Sequence, residues 1–430
     1  ATGADIEEAR QLLIDRGAAD GTTSSLVSSY FFNRTDIISF VPVNTSSATS
    51  ISYSWYQNTA LTSFPIIDTS NVLNFTSAWQ SCTALTSFPA LDMSKGTNFT
   101  DAWHSCNALT SFPAGAKLGT AAENVNFTEA WRESGLTSFN TDLPTGTIFQ
   151  KTWRQSALTS FGSIDLSSGT SFNSSWQQAA SLVSFGAIDA RNGTTFQEAW
   201  RDCSSLTDFS GDAKLGTAAE NVDFSSTWNT SGLTEIPANL DLSNGNNFYG
   251  AFRSCSSLTT IGSGVLLGTA SSSVDFSNAF RSSGLIELPS DLDLSQGDNL
   301  FAAFYGCTAL NTIGSGLLLG TAANTANFNY AFWGCSSLVD FPAGAFDTIG
   351  TPDASCFVFT WDNCTALSAT SVFNILSSID TSGQSAPSTG PQITIDYDGT
   401  TLSAATNTAI ASLRDTKGWS IFINGAEQTA

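Results

Sequence analysis

The sequence predicts an α/β repeat solenoid of about 13 turns, in which each turn gives one short strand to a parallel sheet and one short helical turn to the opposite side. Two observations predict this fold. An aromatic anchor, usually preceded by Ala, recurs every 22–29 residues, and a Leu follows each anchor by five or six residues in nearly every repeat. Such periods are typical of solenoids, because a single repeat cannot bury its apolar face alone. The anchors are Trp55, Trp79, Trp103, Trp131, Trp153, Trp176, Trp200, Trp228, Phe252, Phe280, Phe304, Phe332 and Trp361.

Two apolar patterns lie within each repeat. Phe stands four residues before most anchors, and this spacing places both rings on one face of a helical turn. The Thr or Ser that often follows this Phe, as at Thr76 and Ser225, suits a helix N-cap. After the repeat Leu, "LTSFP" and its variants end in Pro or Gly, which predicts a short strand closed by a turn.

Two kinds of connector close the repeat. Repeats with the longer kind, such as "KLGTAAENVNF" at 117–127, span about 28 residues from anchor to anchor, four more than most repeats with the shorter kind, such as "IDLSSGTSF" at 164–172. In the shorter kind, Asp before Ser and Gly predicts a turn made by side-chain to backbone hydrogen bonds. Carboxylates in register are also oxygen ligands for calcium, the one cofactor that the sequence suggests, although turn capping is the favoured interpretation. This column is Asp68, Asp92, Asp165, Asp189, Asp241 and Asp293.

The repeats "AFRSCSSLTTIG" (251–262), "AFYGCTALNTIG" (303–314) and "AFWGCSSLVDFP" (331–342) resemble the BspA-like leucine-rich repeat, whose pattern is roughly A-F-x-x-C-x-x-L-x-x-I. The resemblance covers about residues 51–367 and implies a leucine-rich-repeat-like solenoid. The first eight anchors depart from the pattern by using Trp, and the connectors are rich in Asp. In these features the chain resembles repeats of marine phage and bacterial surface proteins.

The ends of the chain lack the repeat. Residues 1–50 are expected to form an N-terminal cap or assembly region with a helix within 4–17, where Asp5 is followed three residues later by Glu8. Residues 51–367 form the solenoid. Residues 368–430 are expected to fold as a helix–strand–helix–strand cap, because an open solenoid edge invites pairing with other chains.

Cysteine and histidine limit the chemistry of the chain. Seven of the eight cysteines stand three residues after an anchor, where other repeats carry Ser, Ala or Asn, which indicates a small buried slot. Free thiols, disulfides between adjacent turns such as Cys82 with Cys106, and a metal site without a CxxC pair all stay open. His104 is the only histidine, so multi-histidine metal sites are excluded, and any Ser-His-Asp or Cys-His chemistry would depend on this one residue, which is expected to be a surface residue rather than a catalyst. The sequence therefore predicts a protein that is not an enzyme.

The charge of the chain limits its partners. With 15 basic and 37 acidic residues the net charge is −22, which repels nucleic acid and anionic membranes. Its apolar runs, such as "IISFVPV" at 37–43, are shorter than the roughly 20 residues that cross a bilayer, so no membrane insertion is expected. The chain starts without Met, which favours a processed or trimmed product placed outside the cell, on the cell surface or on a virion.

One exposed column is the candidate binding face. It stands two residues after each repeat Leu, between two apolar columns, so strand alternation places it on the outer face of the sheet. Hydroxyl and acidic ladders suit repeated weak contacts with a cell-surface glycan or protein, as in an adhesin or receptor-binding protein, although a solvated sheet face without a partner would carry the same residues. The alternative is a structural subunit of an extracellular fibre that assembles through its ends. The column is Ser63, Ser87, Ser111, Ser138, Ser160, Ser184, Asp208, Glu235, Thr260, Glu287, Thr312 and Asp340.

Overall fold

The computed structural model describes residues 31–39, 42, 45–320, 325–387 and 392–429. The chain divides into two compact units. The first unit comprises Ala1–Leu206 with Ala213–Leu215, and the second comprises Thr207–Asp212 with Gly216–Ala430. The anchors up to Trp200 lie in the first unit and those from Trp228 onward lie in the second. The helix predicted within residues 4–17 lies outside the described residues.

Very short parallel strands form most of the regular structure. In chain order the strands are β1 (Asp92–Met93), β2 (Lys117–Leu118), β3 (Val125–Asn126), β4 (Ser138–Phe139), β5 (Gly146–Ile148), β6 (Ser160–Phe161), β7 (Ser184–Phe185), β8 (Asp189–Ala190), β9 (Asp208–Phe209), β10 (Lys214–Leu215), β11 (Val222–Asp223), β12 (Glu235–Ile236), β13 (Asp241–Leu242), β14 (Gly245–Asn247), β15 (Thr260–Ile261), β16 (Leu266–Leu267), β17 (Val274–Asp275), β18 (Glu287–Leu288), β19 (Asp293–Leu294), β20 (Gly297–Asn299), β21 (Thr312–Ile313), β22 (Leu318–Leu319), β23 (Thr325–Ala326), β24 (Thr351–Pro352), β25 (Gln392–Ile395), β26 (Ser420–Ile423) and β27 (Ala426–Glu427).

Equivalent strands of neighbouring turns pair in parallel. In each unit the strands that follow the repeat Leu pair with their neighbours, and we call these strands the sheet face. In the first unit β4 pairs with β6 and β6 with β7, and in the second unit β12 pairs with β15 and β18 with β21. The connectors form further rows, such as β13 with β16 and β14 with β17. The predicted parallel solenoid of about 13 turns is therefore confirmed.

The segments around the anchors, which we call the turn side, are series of β-turns. Two residues before and after Trp79, Ser77 and Ser81 have positive φ values of 51° and 61°, and most other anchors are flanked in the same way. The Ser77 N–H donates to Thr100 O of the next turn at 2.8 Å, whereas Gln80 N–H donates three residues back to Ser77 O at 3.3 Å. The predicted helical turns are therefore wrong. This series of β-turns has the same i,i+4 spacing as a helix. Unlike in a helix, every second backbone N–H donates to the neighbouring turn of the solenoid.

The residue before the repeat Phe caps this series of turns. Asn74 Oδ1 accepts from both the N–H and the hydroxyl of Thr76, at 3.0 and 2.7 Å. In the second unit Asp223 Oδ1 accepts from Ser225 N–H at 2.9 Å. Thr76 and Ser225 were predicted as N-caps, and this prediction is wrong because they are the capped residues.

Stacked rings form the core. The Trp79 and Trp103 rings are stacked with centroids 5.3 Å apart, and the Phe75 and Phe99 rings are stacked at 4.8 Å. Phe88, from the sheet face, meets Trp79 edge-on at 4.8 Å. These arrangements are the favourable ones for aromatic pairs. Because each ring is stabilised by rings of adjacent turns, the turns depend on one another.

In most of the shorter connectors Gly stands three residues before the repeat Phe, whose ring occupies the space beside it. A Cβ on Gly169 would lie 2.3 Å from Phe172 Cζ. No side chain fits at that distance, so this connector passes over the Phe172 ring only with Gly at position 169.

The described N-terminal residues add an atypical first turn. Phe31 N–H donates to Ser54 O at 2.9 Å, and the Phe31 ring stacks on Trp55 at 6.0 Å. Asn33 N–H donates to Tyr56 O at 2.7 Å. The first full repeat is therefore covered by a short irregular segment.

The C-terminal residues cover the last turn. Helix α1 (Ala369–Thr381) begins after Ser368, and its Ser371 Oγ accepts from Phe341 N–H at 2.8 Å. Strand β25 lies beside the last anchor, where Trp361 N–H donates to Thr394 O at 3.4 Å. Helix α2 (Ala404–Ala411) continues into a π-helix (Ser412–Thr416), and β26 pairs with β25 in parallel and with β27 antiparallel. No helix in the described part of the chain is long and apolar enough to span a membrane.

Candidate binding surfaces

The predicted binding face lies at the surface in both units. In the first unit Ser63 pairs with Ser87 across adjacent turns, and Ser160 pairs with both of its neighbours in the row. Eight of the twelve side chains are exposed and four, Ser138, Ser160, Ser184 and Thr312, are partly exposed. The structure therefore brings the predicted residues into register within each unit. Their role in binding stays a prediction.

A threonine column beside this face is already used for structure. Thr86 Oγ1 donates to Thr62 O of the preceding turn at 3.0 Å, and Thr159 Oγ1 donates to Thr137 O at 3.1 Å. In the second unit Thr259 Oγ1 makes the same kind of bond. These hydroxyls strengthen the ladder between turns, so they are less available to an external partner.

The candidate column differs from that threonine column. Within the described residues, none of its twelve side chains has a hydrogen bond or an ion pair to another protein group. In the second unit its acids alternate with threonines, as in the pairing of Glu235 with Thr260 and of Glu287 with Thr312. The second unit therefore presents carboxylates in register whose charge is not neutralised by a neighbouring cation.

The aspartates considered for calcium cap turns. Asp68 Oδ1 accepts from the Ser70 N–H at 3.0 Å and from its hydroxyl at 2.6 Å, and these bonds lower the pKa of Asp68. Asp92, Asp165, Asp241 and Asp293 each accept from the N–H two residues later, as does Asp189 from Arg191. Turn capping therefore accounts for the whole column, and calcium binding stays a prediction.

All eight cysteines are buried free thiols. Cys106 Sγ donates to the carbonyl of Trp79, the preceding anchor, at 3.1 Å, and the other slot cysteines make equivalent bonds. Burial raises the pKa of the Cys82 and Cys203 thiols to about 12. Since the thiolate is the reactive and metal-binding form, these residues are inert structural groups at neutral pH.

His104 lies in a polar cluster on the turn side of the first unit. Its Nδ1 is 2.8 Å from Asp101 Oδ1, and ligand atoms of Asp101, His104 and Glu129 lie within 4.8 Å of one another. This spacing could hold a metal ion. However, Glu129 already contacts Arg132 at 2.8 Å and Lys151 at 3.4 Å, so a cation there would displace two existing ion pairs.

The second unit carries an aromatic patch on its turn side that was not predicted from the sequence. Tyr305 and Trp333, each one residue after an anchor, are stacked at 4.5 Å. Tyr330 and Phe359, each two residues before an anchor, are 5.0 Å apart, and Phe359 is 38% exposed. Arg281 lies over the free face of Tyr305, with Cζ 4.4 Å from the ring centroid. This patch could have been found by comparing the positions beside the anchors.

A cavity of about 350 Å³ lies next to this patch, between the last turn and strands β25 and β26. Phe359 and Phe422 line it together with the carboxylates of Asp362 and Asp396. Burial raises the pKa of Asp362; the Thr394 hydroxyl lowers this pKa in part by hydrogen bonding, and the nearby Asp396 carboxylate raises it. The cavity therefore joins apolar rings to negative charge.

Comparison with known proteins connects the chain to solved structures only. No protein-family model and no curated protein matches the chain. It is similar to a leucine-rich repeat protein from Bacteroides ovatus, with 13% identity, a TM-score of 0.43, and coverage of 93% of this chain and 88% of that one. It is also similar to a leucine-rich cell surface protein from Faecalibacterium prausnitzii, with 15% identity, a TM-score of 0.27, and coverage of 76% and 86%. Both TM-scores lie below 0.5, so neither likeness indicates a function for this chain.

Proposed function

We propose that this chain is an extracellular binding protein that holds a cell-surface glycan or protein on its sheet face, as an adhesin does. The observation that carries the proposal is the column of twelve side chains without protein partners, paired across neighbouring turns within each unit, next to a threonine column whose hydroxyls are bonded to the backbone. Hydroxyls and carboxylates free of internal bonds can exchange water for a partner at little cost in lost internal contacts. A repeating ladder adds many weak contacts, which suits a repetitive cell surface.

The covered C-terminal edge favours this function over a fibre subunit. Ser371 Oγ accepts from Phe341 N–H and donates to Val339 O, so helix α1 satisfies the sheet-face edge of the last turn. On the turn side, Asp396 Oδ2 accepts from Asn363 N–H at 2.8 Å. Because these backbone groups are already bonded, head-to-tail growth through this end would require the cap to move.

The proposal is tested by removing the carboxylates of the sheet face. Fluorescently labelled protein is incubated with a panel of intact Gram-negative and Gram-positive cells and with arrayed glycans. A matched control removes the same number of exposed acids from other parts of the second unit. The sheet-face variant replaces Asp208, Glu235, Glu287 and Asp340 by Ser, and the control replaces Asp212, Glu220, Asp398 and Glu427 by Ser.

We expect the sheet-face variant to lose at least 10-fold in binding and the control to bind like the unmodified protein. Neither set of carboxylates accepts a hydrogen bond within the described residues, so both variants should fold. Equal binding by all three proteins, or binding to no surface in the panel, contradicts the proposal. Electron microscopy at high protein concentration provides a second check, since discrete particles are expected and long fibres would favour the structural alternative.

A further inference from the structure

The cavity beside the last turn contains negative charge without a counter-charge. Asp362 is partly exposed, and no Lys, Arg or His contacts Asp362 or Asp396 within the described residues. Asp396 Oδ2 accepts a single backbone bond from Asn363, which leaves further acceptor capacity on that carboxylate. Placing a second negative charge in a partly buried site costs free energy unless a cation binds there as well. The two carboxylates therefore lack a counter-charge in the isolated chain.

A buried hydroxyl in the same cavity has unused acceptor capacity. Thr394 is 6% exposed and lines the cavity, and its hydroxyl interacts with the Asp362 carboxyl, whose pKa it lowers. A hydroxyl that donates to a carboxylate keeps its own lone pairs, and no N–H or O–H in the described part of the chain donates to Thr394 Oγ1. The hydroxyl can therefore accept from a donor that enters the cavity. Gln392 extends this polar wall.

The rings make the cavity suitable for an organic cation. Phe359 and Phe422 form its apolar wall, and a positive group within about 6 Å of a ring face is attracted by the ring quadrupole. The chain itself shows this interaction a few turns away, where Arg281 lies 4.4 Å above Tyr305. A bare metal ion fits less well, because hard cations require six or more oxygen ligands and no benefit comes from the rings.

We propose that this cavity binds the guanidinium or ammonium group of an arginine or lysine side chain from a partner polypeptide. The carboxylates of Asp362 and Asp396 bind the charge, the two phenylalanine rings contact the alkyl stem and the cationic face, and the Thr394 hydroxyl accepts a hydrogen bond. The volume of about 350 Å³ lies at the lower end of small-molecule pockets and suits one side chain. The net charge of −22 attracts basic partners to the protein.

Isothermal titration with blocked amino acids tests the proposal on the full chain. The probes are N-acetyl-arginine amide and N-acetyl-lysine amide, with N-acetyl-citrulline amide as the uncharged match of arginine and glucosamine as a cation that is not a polypeptide. The protein variants are Asp362→Asn and Asp396→Asn, and the control is Asp398→Asn, an exposed acid outside the cavity. Because Asp362→Asn removes a charge from a shielded place, this variant should fold, and circular dichroism checks this.

We expect arginine or lysine amide to bind the unmodified protein at least 10-fold more tightly than citrulline amide does. Asp362→Asn and Asp396→Asn should each weaken binding by 10-fold or more, while Asp398→Asn leaves it unchanged. Equal affinity for citrulline amide, absence of binding by both basic probes, or equal weakening by the control overturns the proposal. Tighter binding of glucosamine overturns the assignment to a polypeptide.

This inference and the proposed function can fail separately. The sheet-face variant keeps the cavity intact and should bind the basic probes normally. Conversely, Asp362→Asn should leave any contact made by the sheet face unchanged. A loss of probe binding in the sheet-face variant would overturn the assignment of the probe to the cavity.

Discussion

The two units build the same turn with rings of different size. In the first unit every anchor is Trp, and the sheet-face position that meets it is Phe, as in the edge-on contact of Trp131 with Phe139 at 4.8 Å. In the second unit four of the six anchors are Phe, and the facing residue is usually Ile or Leu, as at Ile261 and Leu288. Residues at both positions are buried, except for the partly exposed Phe112. In equivalent turns, the anchor and its facing residue are therefore a larger pair in the first unit and usually a smaller pair in the second.

The comparison shows which feature of the turn is the same in both units and which feature differs. The ring stack is preserved, since Trp131 and Trp153 are parallel at 5.8 Å and Phe280 and Phe304 at 5.3 Å. The indole N–H is not required, because Trp131 Nε1 is buried without a hydrogen-bond partner. Stacking between turns is thus the conserved interaction. The volume of the pair can change as long as both positions change together.

The largest expected effect comes from removing one ring of the stack. Trp131→Ala in the first unit and Phe280→Ala in the second should each cost about 3–5 kcal/mol in the free energy of unfolding, because each ring is fully buried between two others. Urea unfolding gives the cost, and hydrogen exchange gives its location. Exchange should accelerate mainly in the unit that carries the substitution, since turns contact their neighbours. Loss of about 1 kcal/mol or less in either variant would show that the stack is not the main stabilising interaction.

Exchanging the ring types between the units should have a smaller effect. Phe280→Trp should cost about 1–3 kcal/mol, because the extra ring atoms overpack a turn whose facing residue is already sized for Phe. Trp131→Phe should cost less, since the cavity that it leaves is partly offset by the removal of an unpaired buried N–H. Urea unfolding of both variants measures the difference. A larger cost for Trp131→Phe would contradict the idea that pair volume, rather than the indole, sets the packing.

The smallest expected effect is in the cysteine slot. Cys106→Ser should cost about 1 kcal/mol, because a buried hydroxyl replaces an Sγ that donates to Trp79 O. Cys307→Ser should cost less, since Ser283 Oγ lies 3.3 Å from Cys307 Sγ and offers the new hydroxyl a second partner. Thermal unfolding of the two variants checks the order. If Cys307→Ser costs more than Cys106→Ser, the volume of the slot and not hydrogen bonding sets the difference between the two units.

The repeat period made the architecture predictable from sequence. The spacing of anchors and repeat leucines identified the turns and the parallel sheet, because periodic burial depends only on which residues are apolar. The turn side was not predictable in the same way. Phe75 and Trp79 satisfy a helical spacing, yet positive φ at Ser77 converts the segment into turns, and Ser carries no signal for that conformation. The capping role of Asn74 became visible only through its bonds to Thr76.

The candidate sites differ in how far the sequence could show them. The sheet-face column follows from strand alternation, so all twelve positions were predicted to be at the surface, and they are. The aromatic patch could have been predicted from the sequence, since Tyr305 and Trp333 stand at the same repeat position. The cavity could not be predicted, because it is lined by Asp362 of the last turn and Asp396 of the cap. Only the folded chain brings these two carboxylates together.

Labelling of carboxylates in the bound and free protein tests the central claim most directly. The protein, bound to cells or to an arrayed glycan, is treated with a carbodiimide and an amine, and mass spectrometry measures the modification of each acid. We predict that binding protects Asp208, Glu235, Glu287 and Asp340, while Glu220 and Glu427 are labelled as in the free protein. Unchanged labelling of the four sheet-face acids in a protein that is demonstrably bound would contradict the claim that this face holds the partner.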